Sequence, residues 1–186
     1  MCIVYLLAGV LFIFLIKLQP KSDPAKVLNV AEQLLVGDHS SFTDPEGYMF
    51  RYPFQNGILL LDVGLLCLFG NGAYLAFQVL NLFAAIGISD AIGRISETIL
   101  CHKNGGDWIR IAILLQPVLF LYITYMYGTL LSLACILYAA YFEMRFLRVG
   151  EKRDFLLTVF LSGLSLVLKL CGWLKDGDCE MVAMEN

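Results

Sequence analysis

The chain has 186 residues, of which 59% are hydrophobic and 16% charged, with a mean hydropathy of +0.75 and a formal net charge of −3. Soluble domains carry roughly a quarter charged residues, so this composition argues against a water-facing globule and for a bilayer. The weak negative charge, without a basic stripe interleaved with aromatics, argues against nucleic acid as a partner.

The first apolar run, residues 2–18, has no basic segment before it and no small-residue cleavage site after it. It therefore reads as a spanning helix at the short end of the usual range, not as a signal peptide. Residues 20–57 form the long polar stretch, which opens with Lys21-Ser22-Asp23-Pro24 and closes with Tyr48 through Gly57. Asp23 as N-cap and Pro24 at the first helical position predict a helix there. Val27, Val30, Ala31, Leu34 and Leu35 fall at i, i+3, i+4, i+7 and i+8, and Gly37 stops the pattern. A short amphipathic helix beside a spanning one is expected to lie flat on the bilayer.

Residues 38–46 are polar and turn-rich. The run 57–69 is shorter than the roughly 17 residues that a crossing needs, so it is expected to be a second surface helix. Four further spans are predicted at 73–88, 108–125, 130–146 and 155–170, and 175–186 reads as a tail. The expected fold is all-α: a polytopic integral membrane protein with five transmembrane helices and two interfacial helices in its first outer loop. Its parts are 1–18, the first span; 19–70, the loop; 71–172, four spans; and 173–186, a tail that ends the N-terminal portion of a longer chain.

Arg145, Arg148, Lys152 and Arg153 cluster between the last two spans, so that loop is expected in the cytoplasm by the positive-inside rule. Counting back, the turn at Tyr127-Gly128-Thr129 is outside and the loop with His102, Lys103 and Arg110 is inside. If 57–69 does not cross, the 20–57 segment is extracytoplasmic; if it crosses, that assignment inverts, and Lys21, Lys26 and Arg51 favour the inverted case. The expected location is the plasma membrane with the first loop outside.

No metal site is expected, because His39 and His102 lack neighbours at ligand spacing. The six cysteines form no CxxC pair and read as small buried hydrophobes. No cofactor is required by the sequence; dependence on a divalent metal is left open, although a single carboxylate is a poor cation site.

The order of these features resembles the GT-C superfamily of membrane glycosyltransferases, in the branch of protein O-mannosyltransferases and aminoarabinose transferases. The resemblance rests on Ser22-Asp23-Pro24 after the first span, Tyr48 through Gly57, Leu68-Phe69-Gly70, and the Tyr127-Gly128 turn, and covers residues 10–172. It implies an enzyme that moves a sugar from a polyprenyl-phosphate carrier to an extracytoplasmic acceptor, a glycan, lipid or protein. Asp23 is then the general base that takes the acceptor's proton; its plain alternative is a helix cap.

Arg51, before Tyr52-Pro53, is implied as the donor-phosphate ligand, with Lys169 as a second; both also suit headgroup snorkelling. Tyr48 and Tyr52 line the site or anchor the interface. Asp62 stands out for its cost in an apolar helix, whereas Asp90 and Arg94 read as a local i, i+4 pair. The chain departs from the pattern in having Thr129 where relatives carry an acidic residue, and in stopping soon after the fifth span, which implies that it is too short to act alone. The alternative from another class is a small non-catalytic membrane protein: an assembly subunit, or a fragment of a transporter or flippase.

Overall fold

The computed structural model describes residues 2–100 and 105–169, and every regular element among them is a helix. The apolar first run forms α1, Cys2–Ile16. Helix α2, Asp23–Leu35, follows and buries Pro24 together with Val27, Val30 and Ala31 of the expected stripe, whereas Leu34 is half-buried and Leu35, expected on the same face, is exposed. Two single turns, α3 (Ser40–Thr43) and α4 (Tyr48–Arg51), then lead through a tight turn at Pro53–Gln55 into α5, Asn56–Phe69. The backbone swings at Gly70 into α6, Ala73–Leu100, at 28 residues the longest helix described. Helices α7 (Gly105–Leu114), α8 (Pro117–Tyr122), α9 (Thr129–Val149) and α10 (Lys152–Lys169) complete the fold.

Helix α6 is the central post, touching α1, α5, α7 and α9, while α9 and α10 form a close antiparallel pair. Between that pair, the hydroxyls of Ser132 and Ser165 meet at 2.9 Å, which satisfies two buried polar groups that lipid could not. One apolar core joins Val27, Val30 and Ala31 of α2 to Ile58, Leu59 and Leu65 of α5, with Phe77 and Met126 beneath. A second joins Ile13 of α1 to Leu82, Ala85 and Ile88 of α6, with Leu114 and Ile123.

Both ends of α5 lie at the same end of the bundle. Gly57 abuts the Val167 backbone near the end of α10, and Ile58 fills the space above Gly128. At its other end α5 turns into α6, whose Gln78 amide donates to the Leu18 carbonyl at 2.8 Å. One turn on, Asn81 donates to the carbonyls of Ile123 at 3.2 Å and Tyr125 at 2.7 Å. Two buried amides on α6 thus tie down the chain that leaves α1 and α8, and α5 lies across the bundle end they define.

The opposite end is held by charge. Arg110 pairs with Glu97 at 2.7 Å, Asp107 at 2.8 Å and Asp90 at 3.4 Å. Arg145 pairs with the buried Asp154 at 3.0 Å, and Arg148 donates to the Thr98 carbonyl at 2.6 Å. Between the two polar ends the outer surface is apolar: Ile3, Leu7 and Leu15 on α1, and Leu156, Phe160 and Leu166 on α10, are exposed. Among the described residues, two helical stretches, Pro53–Leu100 (α5 and α6 with the turns that flank α5) and Thr129–Val149, are long and apolar enough to cross a membrane.

Several elements differ from the sequence expectation. The expected straight span at 108–125 is broken, because Pro117 has no N–H to give and disfavours helical geometry in the residue before it. Gln116 accordingly adopts φ −70°, ψ 117°, and α8 restarts at Pro117. The span expected to end at residue 88 continues to Leu100, supported by the Arg94–Asp90 pair at 2.6 Å and by the Ser96 and Thr98 hydroxyls bonding one turn back. Cys67 is exposed and Cys135 only half-buried, so these two cysteines do not act as core residues. Cys101, His102, Lys103, Cys171, Cys179 and the expected tail lie outside the described residues, as does the Cys2 side chain.

Candidate functional site

The polar segment between α1 and α5 meets the α8–α9 turn at the bundle end crossed by α5. Ser22, at φ 59°, occupies the cap position of α2 and makes no side-chain cap bond; Asp23 is the first helical residue, with Pro24 next. The first turn closes on the Ser22 carbonyl, reached by the Lys26 amide at 3.2 Å. The expectation that Asp23 caps this helix is therefore corrected by one position.

The Asp23 carboxylate faces across the bundle end instead. Its Oδ2 accepts a hydrogen bond from the Tyr127 hydroxyl at 3.4 Å, across 104 residues of sequence. Its Oδ1 lies 3.9 Å from Lys26 Nζ, one turn along α2. Tyr127 is presented by a tight turn whose next residue, Gly128, has φ +57°. A Cβ at Gly128 would run into the Ile58 side chain, so the close approach of α5 and the left-handed backbone both call for glycine there.

Tyr48 forms the third side. Its ring lies under Lys26 Nζ, 5.4 Å from the centroid, and 4.9 Å from the Tyr52 ring. Its hydroxyl donates to Gln55 Oε1 at 3.1 Å. Partial burial pushes the Tyr48 phenol up to about 12, aided by the negative charge of Asp23. Burial and the same carboxylate raise Tyr127. Because the folded value of Tyr48 exceeds the ordinary 10, its contribution to stability is fully present below about pH 10 and is lost as pH rises toward 12. Thermal unfolding in detergent is expected to weaken over that window, and Tyr48→Phe to flatten the decline. An unchanged decline in the variant would remove Tyr48 as its source.

Of the residues marked in the sequence, Asp23, Tyr48 and Tyr52 come together here. Arg51 takes another direction: its guanidinium pairs with Glu46 and donates through Nε to the Pro45 carbonyl at 3.3 Å. Lys169 ends α10, and its side chain lies outside the described residues. Asp62 sits on the buried face of α5 at 1% exposure, and its Oδ1 has no hydrogen-bond partner among the described residues. Lys26, Gln55 and Tyr127 gain places that sequence reasoning did not give them. The spacing of Asp23 and Lys26 at i, i+3 was the available signal for the first. Among the described residues, no group of three or more His, Cys, Asp or Glu side chains could hold a metal ion.

A cleft of about 470 Å³ lies between α6, α7, α8 and α9, on the side where the chain breaks at Gln116-Pro117. Ile88, Ile92, Ile113, Leu119 and Leu133 make its walls apolar, and Thr129, two residues past Tyr127, also lines it. Its size is that of an ordinary small-molecule site. No protein family, curated protein or solved structure matches the chain.

Proposed function

We propose that the chain carries the acceptor-activating part of a membrane glycosyltransferase of the GT-C kind, which uses a polyprenyl-phosphate sugar. In this reading α1, α6, the broken α7–α8 pair, α9 and α10 cross the bilayer. Helices α2 and α5 then lie at the extracytoplasmic surface. The cluster of Arg145, Arg148, Lys152 and Arg153 at the opposite end supports that orientation.

The observation that carries the reading is the state of Asp23. Its carboxylate is part-exposed, is not spent on capping its own helix, and is steadied by a tyrosine from a distant turn. A group so placed can accept the proton of an acceptor hydroxyl. The hydroxyl oxygen then attacks the anomeric carbon, and the bond from that carbon to the phosphate oxygen breaks. The electron pair leaves with the lipid phosphate, and attack opposite it inverts the configuration. The apolar cleft beside Thr129 is the place for the first isoprene units of the carrier.

The rival reading, a non-catalytic membrane subunit, draws support from Arg51, whose pairing with Glu46 withdraws the guanidinium that the resemblance assigns to phosphate. Reconstituting the chain in liposomes with a fluorescent polyprenyl-phosphate hexose separates the two. Saturable binding of that donor, competed by free polyprenyl phosphate, is expected of the enzyme part, and uptake no greater than that of protein-free liposomes would favour the rival.

A further inference from the structure

We propose that Lys26, not Arg51, is the cation that receives the donor phosphate; this rests on the glycosyltransferase reading above and names the ligand for one half of its site. Arg51 is the obvious candidate by composition, because guanidinium matches phosphate bidentately. In the fold its Nη2 and Nε are directed at Glu46 and the Pro45 carbonyl, both in its own loop.

Lys26 is in the opposite position. Its ammonium stands 3.9 Å from the Asp23 carboxylate, at ion-pair but not hydrogen-bond distance. Its N–H donors are therefore not spent on that partner. The side chain is 60% exposed yet not loose, because the Tyr48 ring lies beneath the charge at 5.4 Å. Tyr48 in turn is braced by Gln55 and by the Tyr52 ring. The cation is thus aimed by aromatic packing while its outer face stays open.

The placement also answers an electrostatic requirement. A general-base carboxylate and a leaving phosphate are both anions and must work within one site. A cation held between them offsets their repulsion and stabilises the charge that develops on the departing oxygen. Lys26 is one helical turn from Asp23, so α2 fixes the spacing of base and cation without help from the loop that carries Arg51.

The test uses the full chain in nanodiscs and measures its affinity for decaprenyl phosphate by microscale thermophoresis. Lys26→Gln is expected to weaken binding roughly ten- to a hundredfold, the loss of one charge-assisted contact. Lys26→Arg should stay near wild type, and Lys21→Gln, which removes a neighbouring charge from the same loop, should change little. Arg51→Gln should likewise bind within a few fold of wild type. Thermal unfolding of each variant checks the fold, and an excess of inorganic phosphate tests the source of the anion. If Arg51→Gln abolishes binding and Lys26→Gln does not, the assignment to Lys26 is overturned while the enzyme reading stands. If inorganic phosphate displaces the lipid fully, the site is for a free anion and the lipid assignment fails. If wild type itself does not bind, this proposal and the reading beneath it fall together.

Discussion

Replacing Asp23 with asparagine, at the matching position of an intact relative, is expected to abolish sugar transfer, lowering the rate by a hundredfold or more, while leaving the protein folded and able to bind the lipid donor. The size follows from the role: general-base catalysis is worth about 10²–10⁴ in rate, and an amide keeps the shape of the carboxylate while losing its capacity to take a proton. Stability should hardly move. Asp23 makes one hydrogen bond at 3.4 Å and one ion pair at 3.9 Å, both with part-exposed partners, and such contacts contribute little. Asp23→Glu should retain part of the activity, because the longer arm keeps the base but shifts it relative to Tyr127. Measured transfer in liposomes, alongside donor binding and thermal unfolding, separates chemistry from fold. Wild-type transfer by Asp23→Asn would reduce Asp23 to a structural residue of α2.

The largest expected structural effect lies at Gly57. A Cβ there would overlap the Val167 carbonyl, and a backbone atom near the end of α10 cannot swing aside as a side chain can. Helix α5 would have to lift away from α10, pulling Ile58 and Leu59 out of the core they share with α2. Overpacking of this kind costs about 1–3 kcal/mol, and the loss of neighbouring apolar contacts adds to it. Gly57→Val should therefore lower the unfolding temperature sharply and scatter the protein in size-exclusion chromatography. Gly64→Ala supplies the control: it lies on the same helix with nothing within 4 Å of its Cβ, and alanine favours a helix interior over glycine by roughly 1 kcal/mol. Equal stability of Gly57→Val and wild type would mean that α5 is not wedged against α10.

Helix positions were legible in the sequence, because they depend on local signals. The stripe Val27, Val30, Ala31 marked the buried face of α2, and the apolar run 57–69 became α5 nearly to the residue. The break at Gln116-Pro117 was also written there, but averaging hydropathy over 108–125 hides a single proline among apolar neighbours. The length of α6 was underread because charged residues after Ile88 look like a helix end; in the fold Asp90 and Glu97 pair there with Arg94 and Arg110.

The site was only half legible. Asp23, Tyr48 and Tyr52 stand out by type and spacing, but the meeting of Asp23 with Tyr127 spans 104 residues and depends on α5, Gly128 and the turn after α8 all packing together. No local pattern encodes that. The direction of Arg51 is equally a matter of context, since Glu46 competes for it from within the same loop. A sequence names the ions present; which of them pair depends on the backbone that carries them.

In the proposed topology the Asp23 end of the bundle faces away from the cytoplasm. It is tested most directly in cells, in a background with all six native cysteines replaced by alanine, carrying either Lys21→Cys or Arg153→Cys. Treated with a membrane-impermeant maleimide, position 21 should label in intact cells and position 153 only after lysis. The reverse pattern would place Asp23 in the cytoplasm and overturn this topology.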